Sequence, residues 1–370
     1  MSTDTPLGVR LKRLIAAGGP ISVADYMTLC LTDPEHGYYT SRQPIGRSGD
    51  FITAPEVSQM FGELIGIFML AVWQQSGRPS PFHLVEFGPG RGTLMRDMLS
   101  AISTNPDAKV ALRIHLIDIS PNLKQQQKTV LSDCAMPTEW HTSLADLPDA
   151  PLFCVANEFF DCLPIHQGVS RGEMIYERVI GLDETGMLAF GLGAPRAMRE
   201  DIRQHPAEDG AILEESPASM AIMADIARHL ALHGGAGLFI DYGHTESGFG
   251  DTLQAIKAQN YADPLSLPGE QDLTAHVDFA ALTTCARQEI EAATTIKAMT
   301  VPEPVTQSEF LLALGLLERA GQLGTGKSPE EQDAIRDAVE RLAGPEQMGK
   351  LFKIMAILPI EVTIPPFSEG

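Results

Sequence analysis

The stretch Leu84-Val85-Glu86-Phe87-Gly88-Pro89-Gly90-Arg91-Gly92-Thr93 decides the fold. An apolar strand ends in a carboxylate, a glycine turn follows at once, and a helical pattern begins behind it. Glycines at alternate positions, Gly88, Gly90 and Gly92, let the backbone pass close to a ligand with no Cβ in the way. A strand, a glycine-rich turn and a helix make the first unit of a nucleotide-binding α/β fold. The dinucleotide fingerprint G-x-G-x-x-G needs its third glycine where this chain has Thr93, so that reading fails. Glu86 also sits badly beside a pyrophosphate, because two anions would be close together. It suits a cationic or hydroxyl-rich ligand. S-adenosylmethionine carries an ammonium and a sulfonium and no phosphate, and the segment reads as a site for it. The plainer alternative is an ordinary turn between a strand and a helix.

The next unit supports the ligand reading. Leu94, Met95, Met98, Leu99 and Ile102 fall on one helical face. Arg113 to Asp118 then reads as a buried strand ending in an acid, 26 residues beyond Gly92. In α/β nucleotide folds such an acid takes the ribose hydroxyls. Asp118 also stands where a helix cap would, ahead of Ser120-Pro121, and the two roles are compatible. A fourth strand, Leu152 to Ala156, runs into Asn157-Glu158-Phe159-Phe160-Asp161. A doubly wound sheet puts that segment at its carboxyl edge, beside the first turn. There Asn157 faces the donor, and Glu158 and Asp161 can grip a cationic acceptor such as guanidinium. The alternative makes Asn157 a helix cap and the acids partners of the helix dipole.

Composition bounds these readings. The 370 residues carry a net charge of −21, which argues against a nucleic-acid surface and permits cationic ligands. Cys30, Cys134, Cys154, Cys162 and Cys285 form no C-x-x-C pair, so a reduced compartment is expected and no zinc site is indicated. No secretory signal, clear transit peptide or membrane span is read, and Leu64 to Val72 is better taken as a core helix. The expected location is a bacterial cytoplasm, with the mitochondrial matrix as its eukaryotic equivalent. The oligomeric state is left open.

Strands and helices alternate from Pro81 onward, which predicts an α/β fold with a mostly parallel sheet covered on both faces. Three parts are expected. Residues 1–80 form an N-terminal helical cover that includes the glycine-rich loop Gly49-Asp50-Phe51, placed to close over the donor. Residues 81–245 form the core, with a β-hairpin excursion near 165–195. Residues 246–370 form an irregular and helical cover that returns to the core sheet through a last strand near 352–358. Helices are expected over 306–320 and 328–343, and near 276–287.

With these residues in hand, the chain resembles the MidA family of class I S-adenosylmethionine-dependent methyltransferases. Glu86 to Leu94 is similar to that family's nucleotide motif. Further agreement comes from Asp33-Pro34 with Gly37-Tyr38-Tyr39, from Gly49 to Glu56, from Asn157 to Asp161 with Leu163-Pro164, and from Ile240 to His244. Gly250 to Gln254 and Asp272 to Phe279 also match. One departure is Asp118, where the family pattern has Glu; both accept ribose hydroxyls. The resemblance implies a Rossmann-like core, with a helical N-terminal cover and a C-terminal helical insertion. It also implies S-adenosylmethionine as donor and a protein arginine as acceptor. The family includes a mitochondrial respiratory complex I assembly factor, so the implied substrate is the 49 kDa-type subunit of complex I, dimethylated symmetrically. On this reading Glu158 and Asp161 bind the guanidinium, and the proton leaves to His276, Asp278 or water. Two other functions remain open: a non-catalytic assembly chaperone that binds S-adenosylmethionine, and a small-molecule methyltransferase.

Overall fold

The computed structural model describes residues 4–41, 53–197, 207–257, 260–293 and 297–367. The expected loop Gly49-Asp50-Phe51 lies outside the described residues.

The central sheet has four parallel strands on the side that was read first: β1 (Phe82–Phe87), β2 (Leu112–Ile117), β3 (Thr138–His141) and β4 (Leu152–Asn157). Four strands then leave the sheet as an antiparallel excursion, β5 (His166–Arg171), β6 (Met174–Leu182), β7 (Leu188–Ala197) and β8 (Ile212–Glu215). The chain returns as β9 (Gly235–His244), parallel to β4, and closes with β10 (Phe352–Pro359), antiparallel to β9. The central order is β3-β2-β1-β4-β9-β10, with the short Met299–Thr300 strand outside β10. The winding reverses between β1 and β4. In open α/β sheets ligands bind outside the strand ends at such a reversal.

Both faces of β1 are covered, and all six of its residues are buried. On one face lies α3 (Gln59–Gln75), following α1 (Pro6–Gly18) and α2 (Val23–Thr32) in the chain. It packs against α4 (Thr93–Ile102) with almost no gap. A Cβ on Gly62 would lie 2.6 Å from Asp97 Cβ, and one on Gly66 would lie 2.6 Å from the Met98 carbonyl. The small residues let the helices meet, and Phe61, Leu64, Ile65, Phe68 and Met98 fill the seam with no exposure. Each such side chain contributes roughly 1.5–3 kcal/mol. On the other face, α6 (Pro217–His233) and α7 (Phe279–Ala292) bury Met223, Leu230, Phe279 and Leu282 against Val85, Cys154 and Phe239. Between α4 and α6 comes α5 (Pro121–Val130).

The core strands fall where the alternation placed them. The covers differ from expectation in three respects. Helix α1 was not anticipated. Ile21-Ser22 pairs with Ile180 and Val179 of β6, so the N-terminal cover is tied to the excursion by strand pairing. The helix expected over 306–320 is two, α8 (Gln307–Ala313) and α9 (Leu316–Gly324). Gly315 stands between them at φ 87°, a left-handed conformation no continuous helix holds. The helix expected over 328–343 is present as α10 (Pro329–Ala343).

Candidate active site

The turn after β1 is built from left-handed glycines: Gly88, Gly90 and Gly92 have φ of 59°, 50° and 87°. A Cβ on Gly88 would come within 3.0 Å of the Phe159 ring. Thr93, in place of the dinucleotide glycine, donates its hydroxyl to Glu56 Oε1 at 2.7 Å, and Arg91 lies 3.7 Å from the same carboxylate. The short helix Ala54–Val57 is thereby clipped onto the turn.

Glu86 at the end of β1 is 2 % exposed and receives the Met95 N–H. Its Oε2 has no partner among the described residues. Burial, reinforced by Asp118, pushes its carboxyl up to about 8. A buried oxygen left bare is costly unless a ligand completes it. Asn157 Oδ1, at the end of the neighbouring strand, is in the same condition. These bare atoms fit a ligand rich in N–H and O–H donors.

Asp118 sits after β2 as expected. It is not the cap of α5, because the Ser120 side chain fills that role. Its Oδ1 accepts the Ser120 N–H at 2.8 Å and its Oδ2 accepts Gln127 Nε2 at 2.7 Å. The same Gln127 amide donates to the Gly90 carbonyl at 2.8 Å, and its Oε1 accepts Trp140 Nε1 at 3.0 Å. Gln127 is fully buried and ties the glycine turn, the second-strand acid and β3 together. Sequence reading missed it, because a glutamine in a polar helix gives no signal.

The segment after β4 is not a helix, so Asn157 caps nothing. It is a loop held from outside. Asp241, at the middle of β9, is 1 % exposed. Its Oδ2 accepts the N–H groups of Phe159, Phe160 and Asp161 at 3.2, 3.0 and 3.2 Å, and its Oδ1 accepts the Tyr242 N–H at 3.0 Å. The loop also needs Glu158 at φ 50°, which costs a non-glycine residue roughly 1–3 kcal/mol. Glu158 Oε1 accepts Asn157 Nδ2 at 3.1 Å and the Ala54 N–H at 3.4 Å. Burial and the neighbouring Asp161 raise the Glu158 carboxyl to about 7. Asp161 is raised by burial as well, although it accepts the Tyr242 hydroxyl at 2.6 Å; its Oδ1 has no partner among the described residues.

A cavity of about 450 Å³ joins these parts. Gly88, Gly90, Asp118 and Thr142 to Leu144 line it together with Glu158, Asp161, Cys162, Tyr39 and Asp272. Tyr39 donates to both Asp272 oxygens, at 2.9 and 3.0 Å. Both lie in blocks that carried the family resemblance, but neither was given a role in the site; they lie 233 positions apart, and only the fold joins them.

His276 and Asp278 are not brought to this cavity. They line a second one, of about 1060 Å³, with His244 and Glu214. Val277-Asp278 adds to β9 as a parallel strand, and Asp278 then caps α7 by accepting the Ala281 N–H at 2.9 Å. Phe160 and Ile165, from the segment after β4, line this second cavity as well, but Glu158 and Asp161 do not. Burial and His244 lower the His276 ring. Its link to the first cavity is an edge contact with the Tyr242 ring, centroids 5.5 Å apart.

A reversal-point cavity with a glycine turn, strand-end acids and no phosphate-compatible charge defines a methyl-donor site of the Rossmann-like kind. Comparison with known proteins agrees. Residues 64–297 match the family model of S-adenosyl-L-methionine-dependent methyltransferases. The chain is 36 % identical over 383 residues to the Drosophila melanogaster "Protein arginine methyltransferase NDUFAF7 homolog, mitochondrial", covering 95 % of this chain and 85 % of that one. It is 33 % identical to the Homo sapiens protein arginine methyltransferase NDUFAF7, covering 96 % and 84 %. The crystal structure of a COG1565 superfamily member from Burkholderia thailandensis bound to S-adenosyl-homocysteine superposes with a TM-score of 0.82, at 26 % identity, over 98 % of this chain and 95 % of that one. The chain belongs to the MidA family of S-adenosylmethionine-dependent methyltransferases. No helix among its described residues is long and apolar enough to cross a membrane.

Proposed function

We propose that this enzyme methylates a protein arginine, and that the acceptor is the 49 kDa-type subunit of respiratory complex I, dimethylated symmetrically. The observation that carries the reading is the set of acids lining the cavity. Glu158, Asp161 and Asp272 line it beside the glycine turn, and the net charge of −21 favours a cationic partner. The names of the relatives, protein arginine methyltransferases, support the same acceptor chemistry.

Glu86, Gly88, Gly90, Gly92, Asp118 and Asn157 would hold S-adenosylmethionine, with Gly49, Asp50 and Phe51 proposed to close over it. The bound donor supplies an electrophilic methyl on sulfonium. Free guanidinium, with a pKa of about 13.8, has no spare lone pair. Carboxylates at one edge of the group localise its charge away from the attacking nitrogen and fix the attack line. One N–H proton must leave as the new N–C bond forms. Glu158 is proposed to take it, since a buried carboxyl raised to about 7 is matched to that task at neutral pH. His276 and Asp278, on the other cavity, are less well placed. The five cysteines form no disulfide, which supports a reducing compartment such as the bacterial cytoplasm.

The test is peptide mass analysis of the complex I subunit from cells with and without this protein. A gain of two methyl groups on one arginine, present only with the intact protein and lost with Glu158→Gln, is the expected result. Glu158→Gln should still bind donor. Full methylation by that variant would remove Glu158 from its role, and an unmodified subunit in normal cells would remove the substrate.

A further inference from the structure

Three imidazoles cross the parallel sheet in line. His83 of β1, His115 of β2 and His141 of β3 share one face, opposite Leu84, Leu116 and Trp140. His83 Nδ1 lies 2.9 Å from His115 Nε2, and His115 Nδ1 lies 3.0 Å from His141 Nε2. Glu139, two residues before His141 on the same face, brings Oε2 to 3.8 Å from His141 Nε2. One ligand atom from each of His115, Glu139 and His141 lies within 4.8 Å of the others.

We propose that His115 Nδ1, His141 Nε2 and the Glu139 carboxylate bind a divalent transition metal of the zinc type, with water completing the shell. Two imidazoles and one carboxylate are a common zinc ligand set. Two nitrogens bound at 2.0–2.1 Å in tetrahedral geometry stand about 3.4 Å apart, so a separation of 3.0 Å needs an opening of only a few tenths of an ångström. The outer partner is in place as well. A ligating imidazole commonly donates its other N–H to an acceptor that fixes its tautomer. His115 Nε2 would donate to His83 Nδ1 and so leave Nδ1 as a lone pair. The ring hydrogen of His141 would sit on Nδ1, so metal entry moves a hydrogen within that ring and releases none. Entry is open on one side: the His115 side is buried, while the Glu139 side chain is 66 % exposed.

The site also has a place in the fold. The His141 carbonyl accepts the Asp118 N–H at 3.1 Å, and Thr142 to Leu144 line the donor cavity. A metal here would pin the edge strand that carries one wall of that cavity. The proposal does not depend on which acceptor is methylated.

The experiment uses the full chain without an affinity tag, stripped with chelator and titrated with ZnCl2 by calorimetry and with CoCl2 by visible absorption. The expected result is one metal per chain, with cobalt giving ligand-field bands that zinc displaces. His141→Gln should abolish binding. Glu139→Gln and His83→Gln should each weaken it by about 10–100-fold. Glu139 is exposed, so its variant folds whatever happens at His141. No stoichiometric uptake by the wild-type chain overturns the proposal, and so does uptake that Glu139→Gln and His141→Gln leave unchanged.

Discussion

Asp241→Asn tests how the acceptor end of the site is held. The wild-type carboxylate is almost fully buried and takes four backbone N–H groups, three on Oδ2 and one on Oδ1. An asparagine keeps one oxygen for the three loop amides, but its NH2 then faces the Tyr242 N–H, donor against donor. Hydrogen bonds to a charged acceptor contribute about 1.5–3 kcal/mol each and neutral ones about 1 kcal/mol, so three weakened bonds lose roughly 2–4 kcal/mol. The orphaned Tyr242 amide adds about 1–3 kcal/mol. Removing a buried anion beside Asp161 and Glu158 returns part of this, since burial and then those two charges raise the Asp241 carboxyl. We expect a net loss of about 3 kcal/mol in urea unfolding. The loop carries Glu158 and Asp161, and a misplacement of about 1 Å at a reacting centre costs about 100-fold in rate. The proposed donor contacts come mainly from the ends of β1 and β2, so donor affinity should change little while turnover on the arginine substrate collapses. Stability within about 0.5 kcal/mol of wild type, together with turnover within about twofold, would refute the claim that Asp241 positions the loop.

Other consequences follow from the donor end. Gly90→Val places a β-branched residue at φ 50°, a cost of roughly 1–2 kcal/mol before any contact with ligand. Calorimetric titration should find S-adenosylmethionine binding lost, and affinity near wild type would displace the donor from this turn. Gln127→Leu leaves the Gly90 carbonyl, Asp118 Oδ2 and Trp140 N–H without their partner, so thermal unfolding should report roughly 2–4 kcal/mol of lost stability, with weaker donor binding. For pH, Glu86 and Glu158 titrate near 8 and 7 in the fold and near 4.5 in the unfolded chain. Between those values the folded state holds more protons at these two groups, so their contribution to stability is fully present below about pH 4.5 and is lost as pH rises to 8. Glu86→Gln should flatten that decline in denaturant titrations of the ligand-free protein, and an unchanged slope would show that Glu86 is ionised throughout.

The sequence made the donor end legible because its signals are local. A strand-end acid, glycines at alternate positions and a second acid one unit later are each fixed by a few consecutive residues. The core strands were legible for the same reason, through the runs Leu84–Phe87, Ile114–Ile117 and Leu152–Ala156. What failed was reading that depended on a neighbour. The run over 306–320 keeps helical spacing, yet Gly315 breaks it with a left-handed φ of 87°. The alternative reading of Asn157 as a helix cap rested on the acids in its own segment. The reason those acids stand in a loop lies 80 or more residues away, on Asp241.

That distance separates binding a donor from choosing an acceptor. β1 and β2 are sequence neighbours in a parallel unit, so the donor floor can be read in one pass. The proposed acceptor wall is assembled from four separate regions. Glu158 and Asp161 come from the loop after β4, Tyr39 from the N-terminal cover, Asp272 from the small strand after β9, and the Asp241 anchor from β9 itself. Asp241 sits inside a strand, where the alternation calls only for a buried side chain and the pattern cannot show that it serves a neighbouring loop. Its burial makes sense through β4, which pairs with β9 so that Glu158 N–H meets the Ile240 carbonyl at 2.9 Å. The pairing that aligns the two strands therefore also sets the loop amides over the Asp241 carboxylate, and the register of a strand pair fixes where the acceptor carboxylates stand.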